Sequence, residues 1–539
     1  MAELFNCFET IKELAVRIQA FMLFNSYVFL FVFLPIVLVG FYALINYSRS
    51  RIVVVWLVVS SLFFYGWWNP AYVPIILISV FFNYQISRLL AHYRERSYLI
   101  LMIGIFLNLS LLCYFKYANF LVDNINVIIS EDISLAAIML PLAISFFTFQ
   151  QIAYLVDCSR NNVQKHSFPD YFLFVTFFPQ LIAGPIAHHS NLLRQITEKF
   201  NRVDKTLIPV GVTVFLIGLF KKTTIADSLA YYVDPVFLAV DGGHTPSFFE
   251  AWGAALAYSF QLYFDFSGYS DMAIGLGYLF GLTLPLNFYS PYKVVNIIDF
   301  WRCWHMTLSR FLRDYLYVPL GGNRVGLIRR HLNLSVVMLL GGLWHGASWN
   351  FVLWGGLHGI FLMINHSWRC AFDVGLGRRT AAAPPYFRRL SVFLGVALTF
   401  LCVTVAWVIF RANDIPSAFR FFEGMIGLNG AYLDIRLASI LSPLNGFVNF
   451  DGYGIGSLSS VWVFVWIFFA AVIVWVFPNV QDFTGHARDR LVDEPYKKGV
   501  GIFTGIWRPS FAWATVMALI AAISIFSLSR VSEFLYFQF

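Results

Sequence analysis

Apolar runs of about twenty residues, parted by short basic or glycine- and proline-containing breaks, recur along the chain. A hydrocarbon core about 30 Å thick needs about 20 helical residues at 1.5 Å each, so the spacing predicts helices that cross or half-cross a bilayer. Residues 21–46 form the first run, followed by Arg49 and Arg51. Residues 52–64 lead to the uncharged turn Trp67-Trp68-Asn69-Pro70, and 73–90 return to Arg88, Arg94 and Arg96. Runs at 98–115, 135–156 (broken at Pro141, with Gln150-Gln151), 207–220, 248–264, 390–410, 461–477 and 511–528 follow. Residues 171–187 are too short to cross and lie between two basic loops. They are predicted to be re-entrant, which membranes tolerate only where protein or water covers the backbone. The count comes to about 11–13 spanning or half-spanning helices. Basic loops favour the cytoplasm, so the first span runs from outside to inside.

Two stretches depart from this apolar rhythm. In 1–20, Phe5, Ile11, Leu14, Ala15 and Ile18 gather near one helical face, and Glu3, Glu9 and Glu13 exclude a cleaved signal peptide. An amphipathic segment on the membrane is expected there, followed by a single transmembrane domain over 21–539. The second is 299–317. At 100° per residue Arg302, His305, Ser309, Arg310 and Arg313 share one face, with Trp301, Trp304, Leu308, Phe311 and Tyr315 opposite. One interfacial or cavity-lining helix is expected. The small residues Gly275, Gly277 and Gly281 read as a helix-packing series.

Residues 333–359 are nearly all apolar, yet carry His345 between Gly342-Leu343-Trp344 and Gly346. Basic clusters flank the stretch: Arg324, Arg329, Arg330 and His331 before it, Arg369, Arg378, Arg379, Arg388 and Arg389 after it. If both clusters lie in the cytoplasm, the chain enters the membrane and returns. The arm 332–344 has 13 residues, about 20 Å of helix, so the turn bearing His345 falls inside the membrane. An ionisable group there is costly and points to function.

Composition agrees: 59% of the 539 residues are hydrophobic and 12% charged, against about 25% charged in soluble domains. An all-α integral membrane protein follows, and no soluble domain is expected. The net charge of +8 comes from scattered loop residues, which set orientation; nucleic-acid binding, which needs a basic face, is excluded. The cysteines are dispersed in apolar settings, without disulfide or metal spacing. His188-His189 lacks the further ligands a metal needs, so no metal is expected.

His345 is the leading candidate, a proton acceptor for a nucleophile; the competing reading is a histidine bonded to a carbonyl between helices. Trp344 would wall its site. His305 is a second acid–base candidate or an interfacial histidine. Arg302, Arg310 and Arg313 would meet donor phosphates or lipid headgroups. Asp265 and Asp271 would bind hydroxyls, relay protons, or pair at a helix break. His358 reads as a packing residue. No P-loop, dinucleotide fingerprint or serine-nucleophile elbow occurs.

Six stretches, in order, resemble the membrane-bound O-acyltransferase family, most closely its bacterial alginate and cellulose O-acetylation branch. They are YFKYANF (114–120), SFFTF (145–149), LIAGP (181–185), QLYFDFSGYSDMAIGLG (261–277), FWRCWHMTLSRFLRDYLYVPLGGNR (300–324) and LLGGLWHGASW (339–349). The resemblance implies a multi-helix bundle around a central tunnel. It puts the family's histidine on His345 and its second polar position on His305. It also brings Trp304 and Asp314 into the candidate donor-binding set. The implied activity is O-acetyl transfer in the bacterial inner membrane, from acetyl-CoA or another thioester to an exported polysaccharide, with no tightly bound cofactor. Implied partners are a periplasmic acetylesterase-like (SGNH-type) protein, a polysaccharide synthase complex and membrane lipid. The alternatives are a transporter without bond chemistry, or acyl transfer to peptidoglycan or teichoic acid.

Overall fold

A computed structural model describes residues 22–47, 50–129, 133, 135–136, 138–160, 166–182, 184–199, 204–381, 384–433, 448–450, 462–485, 507–528 and 535. The amphipathic segment expected at 1–20 lies outside them. Among the described residues the chain is helical and forms no strand, with only an isolated bridge between Tyr432 and Asn449. The all-α membrane class is therefore the observed one. Among the described residues six helices are long and apolar enough to cross a bilayer: Phe29–Asn46, Arg51–Trp68, Pro70–His92, Arg94–Ile129, Leu207–Asp241 and Pro385–Arg411. Trp462–Val476 and Phe511–Ser527 are shorter apolar helices.

The chain divides into two compact units. The first takes the chain up to Leu219, with Asp271–Pro285 and Ile520–Ser529; the second takes Phe220–Ser270, Leu286–Leu519 and the C-terminus. Some buried polar groups of the first unit pair across helices. Asn83 and Asn108, on neighbouring apolar helices, exchange amide hydrogen bonds of 3.1 and 2.7 Å, the side-chain pairing that joins helices in lipid. The re-entrant stretch is buried from Tyr171 to Ile182 apart from the undescribed neighbour beyond it. Its helix Phe168–Thr176 starts on a Ser167 cap and stops where Phe178-Pro179 opens a one-turn helix. The two glutamines hold it: Gln150 donates to the Phe174 carbonyl (3.0 Å), and Tyr171 donates to Gln151 Oε1 (3.2 Å). Protein thus covers the broken backbone, as lipid requires.

The glycine series at 275–281 divides its labour differently from the expectation. Gly275 meets Gly211, whose carbonyl oxygen would sit 2.7 Å from any added Cβ. Gly281, by contrast, lies past the end of the helix Phe248–Leu279 with φ 73°, a turn conformation that glycine adopts without a steric penalty.

The second unit contains the hairpin. Its ingoing arm is Leu327–His345, its outgoing arm Trp349–Ala381. The basic residues Arg329, Arg330 and His331 occupy the start of the first arm, leaving the apolar part that was expected. The arms touch backbone to backbone. A Cβ on Gly342 would overlap the Phe351 carbonyl oxygen, and one on Gly355 the Met338 carbonyl oxygen. At Gly359 the nearest atom would be Met338 Cβ at an ordinary 3.5 Å. Gly355→Ala is therefore expected to lower the melting temperature in detergent, since the clash is with backbone that cannot rotate away. Gly359→Ala should hold or raise it, because alanine favours helix by about 1 kcal/mol. Equal melts for the two variants would refute the close packing.

The single amphipathic helix expected over 299–317 is broken. Ile297–Cys303 is capped by Asn296, whose side chain accepts from Asp299 N. Trp304 is extended, His305 is left-handed (φ 42°, ψ 53°), and Met306–Leu312 resumes. Helical periodicity could not show this, because the cause is a distant strand-like segment. Tyr289 N donates to Cys303 O (3.0 Å) and Met306 N to Asn287 O (2.9 Å). These bonds occupy groups that the break releases. The break turns His305 away from Arg302: His305 is 1% exposed, whereas the Arg302 side chain is 60% exposed.

Candidate active site

Three elements of the second unit meet around Trp344 and His345: the hairpin turn, the break at Trp304–His305, which reaches Trp344, and the end of the helix Pro385–Arg411, which reaches His345. His345 is the last residue of the ingoing arm and is 6% exposed. Gly346 leaves in an extended conformation, and the outgoing arm begins at Trp349. The His345 ring is enclosed by Trp344, Trp354 and Phe410, with centroids 5.0, 5.1 and 5.2 Å away, all edge-on. Trp354 is buried and stacks on Trp407 at 5.5 Å.

His305 reaches the other side of Trp344, at 6.0 Å between centroids, and packs edge-on to Phe266 at 4.9 Å. The buried left-handed conformation is uncommon for a residue with a Cβ and marks a constrained position. Asn287 orients the ring. Its Oδ1 accepts from Thr307 Oγ1 (2.9 Å) and from Thr307 N (3.4 Å) and lies 2.9 Å from His305 Nδ1. A backbone N–H only donates, so that amide atom is the oxygen, and Nδ1 carries the proton. Neutral His305 therefore presents a lone pair at Nε2.

The other sequence candidates fall into separate settings. Trp304 is buried in the aromatic wall, 5.0 Å from Trp407 and 5.6 Å from Phe300. Arg302 pairs with Asp299 at 3.2 Å, and Arg313 with Asp314 at 2.7 Å, both on exposed surface; Arg310 is half-buried. These form a charged rim on the broken segment. Asp265 is buried against Lys222, with 2.5 Å between Oδ1 and Nζ, and Lys222 also reaches Asp227 at 2.8 Å. Asp271 is buried too, but belongs to the first unit. His358, one turn beyond Trp354, accepts at Nδ1 from Trp301 Nε1 (3.3 Å).

Sequence reasoning missed Asn287 and Lys222. Asn287 closes an apolar run at Leu284-Pro285-Leu286 and read as a terminator. Lys222 read as a loop residue, yet the helix continues through a wide turn, Lys221–Ala226, and buries it. The Asp five residues later was the available signal.

The second unit thus brings together a buried imidazole at the hairpin turn and a second one fixed in tautomer beside Trp344, with a charged, partly exposed run of arginines and aspartates on the broken segment. Residues 92–405 match the membrane-bound O-acyltransferase family, and the chain belongs to it. It is an O-acyltransferase and a multi-pass membrane protein. Among its relatives is a peptidoglycan O-acetyltransferase of Helicobacter pylori, 44% identical over 76% of this chain and 81% of that protein. A "probable alginate O-acetylase" of Pseudomonas putida is 37% identical over 96% of this chain and all of that one. A teichoic acid D-alanyltransferase of Bacillus subtilis is 26% identical over 41% of this chain and 58% of its own length.

Proposed function

We propose that this protein moves an acetyl group from a cytoplasmic thioester, acetyl-CoA or its like, to a hydroxyl destined for an exported glycan, with His345 at the reacting centre. The observation that carries the reading is the buried His345 ring at the hairpin turn, walled by Trp344, Trp354 and Phe410. As a base, His345 takes the hydroxyl proton while the oxygen attacks the thioester carbonyl. The thiolate then leaves and recovers the proton from the imidazolium. As a carrier, a His345 nitrogen attacks the thioester carbonyl first and expels the thiolate, which takes up a proton; the hydroxyl then displaces the imidazole from the acetyl group, and its proton returns to the ring. The His305 Nε2 lone pair favours a role in accepting a hydrogen bond from the incoming hydroxyl over donating to the oxyanion. Arg302, Arg310 and Arg313 offer a landing for donor phosphates, with Asp314 fixing Arg313.

The full-length likeness to a probable alginate O-acetylase supports an exopolysaccharide of alginate or cellulose type as the end acceptor. The 44% relative supports a second reading, peptidoglycan. In either case the receiving hydroxyl belongs to the glycan or to an SGNH-type partner in the periplasm, and the inner membrane beside a polysaccharide synthase is the setting. Base-labile acetate on each polymer, measured in deletion and complemented strains, separates the two. In proteoliposomes, thioester consumed with acetyl transferred supports the reading, whereas uptake of an intact substrate without transfer would favour a transporter.

Asn287→Ala tests the His305 role. Outer-shell partners of functional histidines are worth about 10–100-fold, so turnover should fall by about that factor while the apparent KM for thioester changes little. An unchanged kcat would remove His305 from the mechanism.

A further inference from the structure

We propose that Asp157, His188 and His189, in the first unit, form a binding site for a divalent transition ion of the zinc class. One oxygen, Asp157 Oδ2, sits 3.1 Å from His188 Nε2 and 3.4 Å from His189 Nδ1. One ligand atom from each residue lies within 4.8 Å of the others. Small shifts would bring them to the 2.0–2.2 Å that zinc takes from nitrogen and carboxylate, roughly tetrahedrally.

Several features favour an ion over a plain hydrogen-bonded cluster. Two imidazoles and one carboxylate, with room for a water, is a donor set for zinc and its neighbours; calcium and magnesium prefer all-oxygen cages. Ser190 lies beside His188: its Oγ is 2.7 Å from Nδ1, and its N–H donates to the same Nδ1 at 3.4 Å. Without an ion, His188 is thus protonated at Nε2, facing Asp157; an ion at Nε2 displaces that proton, and Nδ1 then takes one up and donates to the hydroxyl, the arrangement that usually orients a metal-binding histidine. Asp157 and His189 are buried, while the His188 side chain is 37% exposed and leaves the ion a way in. Tyr154 packs edge-on to His189 at 5.7 Å.

The position gives the ion a task. Asp157 ends the helix Ile144–Ser159, and His189 begins His189–Lys199. Those helices bracket the buried re-entrant stretch in the sequence, so an ion bridging them clips its two ends together. The histidine pair alone could not reveal this, since the third ligand lies 31 residues upstream.

The test uses the full-length protein in detergent, stripped with chelator and refilled with zinc or cobalt(II). Wild type should retain one equivalent of zinc through gel filtration, and cobalt should give the visible absorption of a four-coordinate site. His188→Ala should lose both, with an unchanged elution profile showing that the fold is kept. Asp157→Asn should weaken zinc retention, and the control His244→Ala, at an exposed histidine of the second unit, should keep it. Failure of wild type to retain zinc, or equal retention by His188→Ala, overturns the site.

Discussion

Replacing His345 with alanine lowers acetyl transfer by about 10²–10⁴-fold, the range that general-base catalysis supplies, with protein abundance and gel-filtration profile retained. Trp344, Trp354 and Phe410 enclose the ring, and the elution profile separates lost chemistry from lost fold. His345→Gln refines the test by keeping most of the volume without a basic nitrogen. Acetate release from the exported polymer and thioester turnover in proteoliposomes are the measurements. Activity of either variant within a few-fold of wild type would refute the assignment. A rapid quench into denaturant near neutral pH after thioester alone, with immediate counting, tests the carrier mechanism: labelled acetyl on wild type that is missing from His345→Gln identifies it, and equal labelling of the two refutes it.

The hairpin was legible from sequence because its logic is local. Basic clusters on both sides, a short apolar arm and glycines beside a histidine give the path of the chain. The re-entrant stretch was legible for the same reason. The break at Trp304–His305 was not. Amphipathic periodicity from 299 to 317 is nearly perfect, and only Asn287 and Tyr289, far back in the chain, show where the helix yields. Its functional consequence is large, because periodicity put His305 beside Arg302, and the observed turn puts it beside Trp344. The reading of Asp265 had a similar blind spot. Its aromatic, small-residue setting was visible, but its partner lay in what looked like a loop. Long-range pairing of polar groups within an apolar chain leaves no periodic trace, and the helices themselves do.

Lys222→Met unfolds or severely destabilises the protein, by about 3–5 kcal/mol, the usual cost of stranding a buried charge. Lys222 is 1% exposed and lies between Asp227 and Asp265, and the Leu535 N–H also donates to Asp265 Oδ2 at 3.3 Å. Without the ammonium, the two buried carboxylates lose the cation they share. The triple variant Lys222→Met, Asp227→Asn, Asp265→Asn should recover most of that loss, because no charge is left uncompensated and apolar replacements of buried ion sets are often neutral. Melting in detergent, followed by loss of the monodisperse peak, reads the stability. Activity of the triple variant then decides what Asp265 is for. If the carboxylate only balances Lys222, a refolded triple variant transfers acetyl at near wild-type rate. If it holds the donor or relays a proton, stability returns and turnover does not.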